Sequence, residues 1–208
     1  MLAGAARGLH PLAMRGLLLL CPLLVLACQS SKNSLPPGAV SLPDVPLSSA
    51  PFDVVHCAFK ETLDQPYVFL ELRGSYTATG PNLAEVAKRM SEQGVTASGP
   101  PFALFYDDPA DVPIENLRSR IAFPVESVGS VRAPLQADVL RSSTVAYALV
   151  DGPYPEVPRC YPGLLAYVKK MHWALAGPIR EIYHVAPGMV SDWSALRCEV
   201  QAPVSMAP

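Results

Sequence analysis

Gly99-Pro100-Pro101-Phe102-Ala103-Leu104-Phe105-Tyr106 and Gly177-Pro178-Ile179-Arg180-Glu181-Ile182-Tyr183-His184 stand 78 positions apart and share one shape, a Gly-Pro turn that releases an alternating apolar strand. The same register extends outward without a gap, because Gly74, Tyr76 and Pro109 fall on Gly152, Tyr154 and Pro187. The chain therefore reads as one unit built twice. At one position the copies differ sharply: Ala103 of the first is Glu181 of the second. A single acidic side chain added to one copy of a repeated scaffold points to a binding site at the seam.

Each copy reads as a short β-α-β-β unit with an extra strand in front. In the first, about 52–126, Phe52 to Lys60 and Tyr67 to Arg73 form a strand pair ended by Gly74. Pro81 opens a helix whose apolar stripe is Leu83, Val86, Ala87 and Met90, running to about Gln93 with Gly94 as its stop. Strands follow from Phe102 to Tyr106 and from Arg118 to Val125, separated by the turn-forming Asp107, Asp108, Pro109, Asp111 and Pro113. The second copy, about 131–204, repeats the order. It has strands from Ala137 to Arg141 and Thr144 to Val150, a turn at Gly152-Pro153 and a helix from Pro162 to His172. Strands from Ile179 to Val185 and Ser194 to Gln201 close it. One helix and a small sheet cannot bury both faces alone. The copies are expected to dock into one α+β domain with a pseudo-twofold axis and a central cleft.

With 208 residues, half of them apolar, the chain has ample material for a core. A net charge of -2, with scattered Lys and Arg, gives no basic field for phosphate backbones, so no nucleic-acid partner is expected. Residues 1–28 read as a signal: Met14-Arg15-Gly16, then an apolar run from Leu17 to Ala27, too short for a comfortable membrane span, then Cys28. Val25-Leu26-Ala27-Cys28 resembles a bacterial lipobox. Cys28 is thus the expected lipidation site and the membrane a partner through that lipid, with an uncleaved signal anchor in the endoplasmic reticulum membrane as the alternative. Residues 29–51 are a Pro- and Ser-rich tether. Cys57, Cys160 and Cys198 remain for an exported domain; three is odd, so at least one thiol is free or paired between chains. Their spacings match no zinc pattern.

The string from Gly99 to Pro109, with Gly177-Pro178-Ile179-Arg180-Glu181-Ile182-Tyr183, resembles the GyrI-like family of small-molecule, or effector-binding, domains, found free in bacteria and at the C-terminus of MerR-type and AraC-type regulators. The resemblance spans about Asp53 to Pro203. It implies duplicated β-α-β-β modules of SHS2 type, with aromatic rings and a glutamate of the second module lining the cleft; Glu181 holds that glutamate's place. The sequence carries no helix-turn-helix before the domain, so a DNA-binding output is not expected. Asp107-Asp108-Pro109 with Val112-Pro113 also resemble the version of this domain in a membrane-anchored receptor of selective autophagy. That role calls for a long cytosolic tail that the sequence to Pro208 does not contain.

Strand alternation puts Ile179, Glu181 and Tyr183 on one face, opposite Arg180 and Ile182. A carboxylate on such a face stands either at a solvated edge or in a cleft, and the resemblance implies the cleft. There the ionised carboxylate loses hydration that a ligand cation restores, and aromatic faces add about 1 kcal/mol each. The expected ligand is a small hydrophobic or cationic aromatic molecule, bound by Glu181, Tyr147, Tyr183, Tyr67, Phe105 and Trp173, with no required cofactor; Tyr106 is a further candidate. Some stand-alone relatives in the resembled family are hydrolases, and that alternative uses Glu181 with Tyr67 or Tyr147 on one water. A membrane-anchored interaction scaffold is a second alternative. Haem carriage, as in the related SOUL-type fold, lacks an axial-ligand motif.

Overall fold

The computed structural model describes residues 45–185 and 191–206. Alternating segments form strands β1 (Cys57–Thr62), β2 (Gln65–Arg73), β3 (Phe102–Phe105), β4 (Arg118–Pro124), β5 (Gln136–Leu140), β6 (Ser143–Asp151), β7 (Trp173–Leu175), β8 (Ile179–Tyr183) and β9 (Arg197–Met206). The stripes of period 3.6 form helices α1 (Thr79–Glu92) and α2 (Tyr161–Lys170). The architecture is α+β: a curled antiparallel half-barrel sheet ordered β1-β6-β9-β8-β3-β4-β2-β5, with β7 paired to the far end of β9.

At the centre of the sheet β3 runs antiparallel to β8, and Ala103 stands directly opposite Glu181. Outward on one side β4 and β2 follow; on the other, β9 and β6. The expected pair between β1 and β2 does not form. β2 is bonded on one edge by β4 and on the other by β5, leaving no edge for β1, which pairs with β6 instead. Each leading strand thus crosses to the other half of the chain, and this exchange ties both halves into one sheet.

The same contacts recur 78 or 79 positions apart. Gly74 at φ +112° and Gly152 at φ +111° turn the chain out of β2 and β6, in a backbone region that side chains with a Cβ avoid. Their amides donate to Leu117 O at 2.9 Å and Leu196 O at 3.1 Å. Tyr76 Oη lies 3.0 Å from Asp107 O and 3.1 Å from Arg118 O, while Tyr154 Oη bonds Val185 O and lies 3.2 Å from Arg197 O. Each of these rings packs at 4.7 Å between centroids, Tyr76 on Phe105 and Tyr154 on Tyr183.

The sheet has two unlike faces. On one, Val68, Leu70, Ala103, Ile121, Ala146, Ala148 and Val200 pack under Val86 and Met90 of α1 and Leu164 and Val168 of α2. Each such side chain taken from water contributes roughly 1.5–3 kcal/mol, Ala less. The other face carries Tyr67, Phe69, Phe102, Leu104 and Ala122, flanked by ion pairs of opposite sense. Arg120 meets Asp138 at 3.0 Å, whereas Lys60 meets Glu199 at 2.6 Å. Burial pushes the Glu199 carboxyl up, but His184, the Lys60 ammonium and the Gln201 amide outweigh it and hold it down at about 2.

One further expectation differs from the structure. Helix α2 stops at Lys170 rather than His172, because His172 adopts φ +56°, a left-handed conformation that histidine tolerates better than most residues and that no helix continues through. Trp173 consequently begins strand β7. Cys57, Cys160 and Cys198 are all free. Burial pushes the Cys57 thiol up to about 11, Cys160 to about 12 and Cys198 well above its ordinary value, so all three stay protonated at neutral pH. The apolar run from Leu17 to Ala27, Cys28 and most of the tether lie outside the described residues.

Candidate functional site

The two helices begin on the same side of the sheet, and their first turns flank a cleft of about 940 Å³ above the β3·β8 centre. From the first half it is lined by the segment from Tyr76 to Leu83 and by Phe105 to Pro109. The second half contributes Tyr154 to Leu165 in part, Leu175 to Ile179 in part, Glu181, Tyr183, Trp193 and Leu196. The walls are largely aromatic rings, prolines and leucines.

Glu181 sits in this wall at only 3% exposure. Its position follows from the sheet register: it pairs with Ala103 on one side and Val200 on the other, and Val200 pairs with Ala148, so all four face the helices. Ala103 offers only a methyl group opposite the carboxylate, which leaves room above it. Tyr161, the first residue of α2, donates its hydroxyl to Oε1 at 2.5 Å; Tyr183 on β8 donates to Oε2 at 2.6 Å. Both distances are those of strong O–H···O⁻ bonds.

No Lys, Arg or His pairs with Glu181 among the described residues. Burial therefore pushes its carboxyl up, opposed only in part by the two tyrosine hydroxyls. Desolvation and the facing carboxylate push both tyrosines well above their ordinary range, so they remain donors. The result is an acidic group desolvated by its fold and facing an apolar hollow. A carboxylate stripped of hydration in this way interacts more strongly with any nearby positive charge than one in water. No group of three or more His, Cys, Asp or Glu side chains suited to hold a metal occurs among the described residues.

Of the residues singled out in the sequence, Glu181, Tyr183 and Phe105 line the cleft; Tyr106 borders it, but its ring lies toward the opposite face, with the Arg120 guanidinium 5.7 Å from its centroid. Tyr147 and Tyr67 do not. Tyr147 is one residue from Ala148 and points to the opposite face, where Lys60 Nζ lies 4.6 Å from its ring centroid. Tyr67 is on that same face, its hydroxyl accepting from Arg120 Nη1 at 2.7 Å. Neither can share a water with Glu181 through the thickness of the sheet. Trp173 packs edge-on against Phe59 and Tyr167, away from the cleft. The sequence reading missed Tyr161, Trp193 and the ring-and-proline segment Tyr154, Pro155 and Pro158. Tyr76 and Tyr154 were marked by the register but not read as lining.

No curated protein matches the chain. Among solved structures, EcmrR in its DNA complex is similar at TM-score 0.67 and 18% identity, over 73% of this chain; the chain spans only 58% of that protein's length. The C-terminal domain of EcmrR alone is matched over 99% of its length and 74% of this chain, at TM-score 0.64 and 19% identity. A Listeria innocua protein described as a hydrolase gives TM-score 0.51 at 12% identity, over 72% of this chain and 91% of its own. SAV2435 bound to tetraphenylphosphonium gives 0.50 at 13%, over 72% of this chain and 94% of its own. At such identities these likenesses concern the fold. The sequence itself matches the GyrI-like small-molecule-binding domain over residues 57–205, and with that match on this cleft-bearing sheet the chain belongs to the GyrI-like family.

Proposed function

We propose that the cleft is a binding site for a lipophilic, aromatic organic cation, held without chemical change. The observation that carries this reading is Glu181: 3% exposed, bonded by two tyrosine hydroxyls, and without a cationic partner among the described residues. The ring-lined volume around it suits a flat or globular apolar ligand, and each ring facing the charge adds about 0.5–2 kcal/mol. The likeness to a protein that binds tetraphenylphosphonium supports the same ligand class here.

The scaffold reads as two SHS2-type β-α-β-β modules related by a pseudo-twofold axis near the Ala103–Glu181 pair; what supports this is the recurrence of turns, tyrosines and strand exchange at a near-constant spacing. The apolar run before Cys28 supports export and a lipid tether on that cysteine, which would hold the binding domain at a membrane. Mass spectrometry of the native N-terminus tests this, since a diacylglyceryl adduct on Cys28 and an intact Met1 exclude each other.

One observation favours a second reading. Glu181 and Tyr161 or Tyr183 form an acid–base group of the kind hydrolysis of an electrophile requires, and a protein of similar fold is described as a hydrolase. Titrating the chain with tetraphenylphosphonium, and separately incubating it with electrophilic aromatic compounds, distinguishes the two. Saturable quenching of Trp193, at least tenfold weaker in Glu181→Gln and without any product, is expected for the binder. Turnover abolished by Glu181→Gln overturns it in favour of the hydrolase.

A further inference from the structure

The charged side chains that line the cleft are all of one sign. They are Asp107, Asp108 and Glu181, with no Lys, Arg or His among the lining residues. The three are not equivalent. Asp107 is neutralised in place: its carboxylate receives Arg118 Nη2 at 2.7 Å, Arg118 Nε at 3.0 Å and the Arg118 amide at 2.7 Å. Asp108, the next residue, is exposed, and its carboxylate accepts only from the Ala110 amide, at 2.8 Å, with no cationic partner among the described residues. One half of the chain therefore brings a cation-free carboxylate to the floor of the cleft, Glu181, and the other half brings one to its rim, Asp108.

The positions of these two carboxylates are fixed by the sheet. Asp108 follows β3 five residues after Ala103, which is the cross-strand neighbour of Glu181. At roughly 3.3 Å per extended residue the two backbone positions lie within about 17 Å along the strand direction, plus the width of one strand. Between them lies the ring of Phe105, which lines the same wall. A volume of about 940 Å³ is at the upper end for small-molecule sites and leaves space beyond a single compact cation seated at Glu181.

We infer that the cleft selects elongated dications: one positive centre held at Glu181, an apolar spacer along Phe105, and a second positive centre at Asp108. This rests on the cation reading of Glu181 and adds Asp108 as a specificity-determining residue. The floor site contributes affinity because it is dry. The rim site contributes less, since an exposed ion pair is screened by water and salt. Its signature is therefore a difference between ligands of one and two charges, not an absolute affinity.

The full chain is titrated with a homologous series of linear alkanes carrying trimethylammonium at one end, and with the same alkanes carrying it at both ends, at low and high salt. In the unsubstituted chain the doubly charged compound is expected to bind about two- to fivefold tighter than its singly charged partner at the best spacer length, with that advantage shrinking as salt rises. Asp108→Asn brings the ratio to one. Glu181→Gln weakens both series. A ratio of one in the unsubstituted chain, or a ratio that survives Asp108→Asn, overturns the role of Asp108 and leaves Glu181 as the cation site. Failure of both series to bind in a Glu181-dependent way overturns the cation reading and this inference together.

Discussion

Ala103 and Glu181 are direct neighbours across the central β3·β8 pair and are also the two positions that the spacing of 78 superposes. At the centre of the sheet one strand thus carries alanine where its neighbour carries a carboxylate. A carboxylate on each side would set two like charges in contact on a buried face, and one of them would be forced to stay protonated. With alanine on one side a single carboxylate occupies the seam, and both of its oxygens are free for Tyr161 and Tyr183.

Glu181→Gln is expected to lower cation affinity and raise stability together. The carboxyl is pushed up in the folded chain, so the native state holds its proton more tightly than the unfolded one. Stability from this group is full below the unfolded value and falls as pH rises from there through the folded one. Thermal melts across this range should show the loss in the unsubstituted chain and not in the variant, which melts higher at neutral pH. A variant that melts lower at neutral pH contradicts the assignment.

Tyr161→Phe and Tyr183→Phe each remove one donor from the ionised carboxylate. A hydrogen bond to a charged group is worth about 1.5–3 kcal/mol, so each variant should push the Glu181 carboxyl further up and move the pH at which cation binding sets in upward. The pH profile of affinity measures this. A role for these rings in packing alone predicts weaker binding with an unmoved profile.

Lys60→Met leaves Glu199, 3% exposed at its side chain, without its ammonium partner. Breaking a buried pair in this way costs about 3–5 kcal/mol. The equivalent change at the exposed Arg141–Asp64 pair should cost far less, because water and salt screen that pair. Because the Glu199 carboxyl is held down at about 2, its contribution is full above its unfolded value and is lost as pH falls toward 2. Urea titrations of both variants at neutral and acid pH test the contrast.

Gly163→Ala would bring a methyl group to 2.6 Å from Val55 Cβ and Cγ2, at the first turn of α2 that carries Tyr161. Overpacking of this kind costs about 1–3 kcal/mol, more than the roughly 1 kcal/mol that alanine adds in a helix. The substitution should destabilise the unaltered chain and weaken cation binding by displacing Tyr161. In a Val55→Gly background the same substitution should be neutral or stabilising, a reversal that chemical denaturation of the four chains reads directly.

Much of the fold was legible because its signals are local. Alternation in Ile179 to Tyr183 puts Glu181 and Tyr183 on one face, and they share the cleft wall; the Val86 and Met90 stripe likewise faces the core. What was not legible is non-local. Tyr147 lies on a central strand of the right half, yet which of its faces matches that of Glu181 depends on the register through β9, which no single strand encodes. The crossing of β1 to β6 is hidden for the same reason: the short link from Thr62 to Gln65 looks like a hairpin. Tyr161 escaped because the first turn of a helix carries no alternation. The pairing of Tyr76 with Tyr154 in the spacing of 78 was a usable signal, since both rings brace the cleft.

The most direct measurement is the affinity of the full chain for tetraphenylphosphonium as a function of pH, alongside Glu181→Gln. Binding that strengthens as pH rises through the elevated Glu181 titration, against a weak and flat profile in the variant, is the expected result. Equal affinity of the two chains at every pH would contradict a cation site built on this carboxylate.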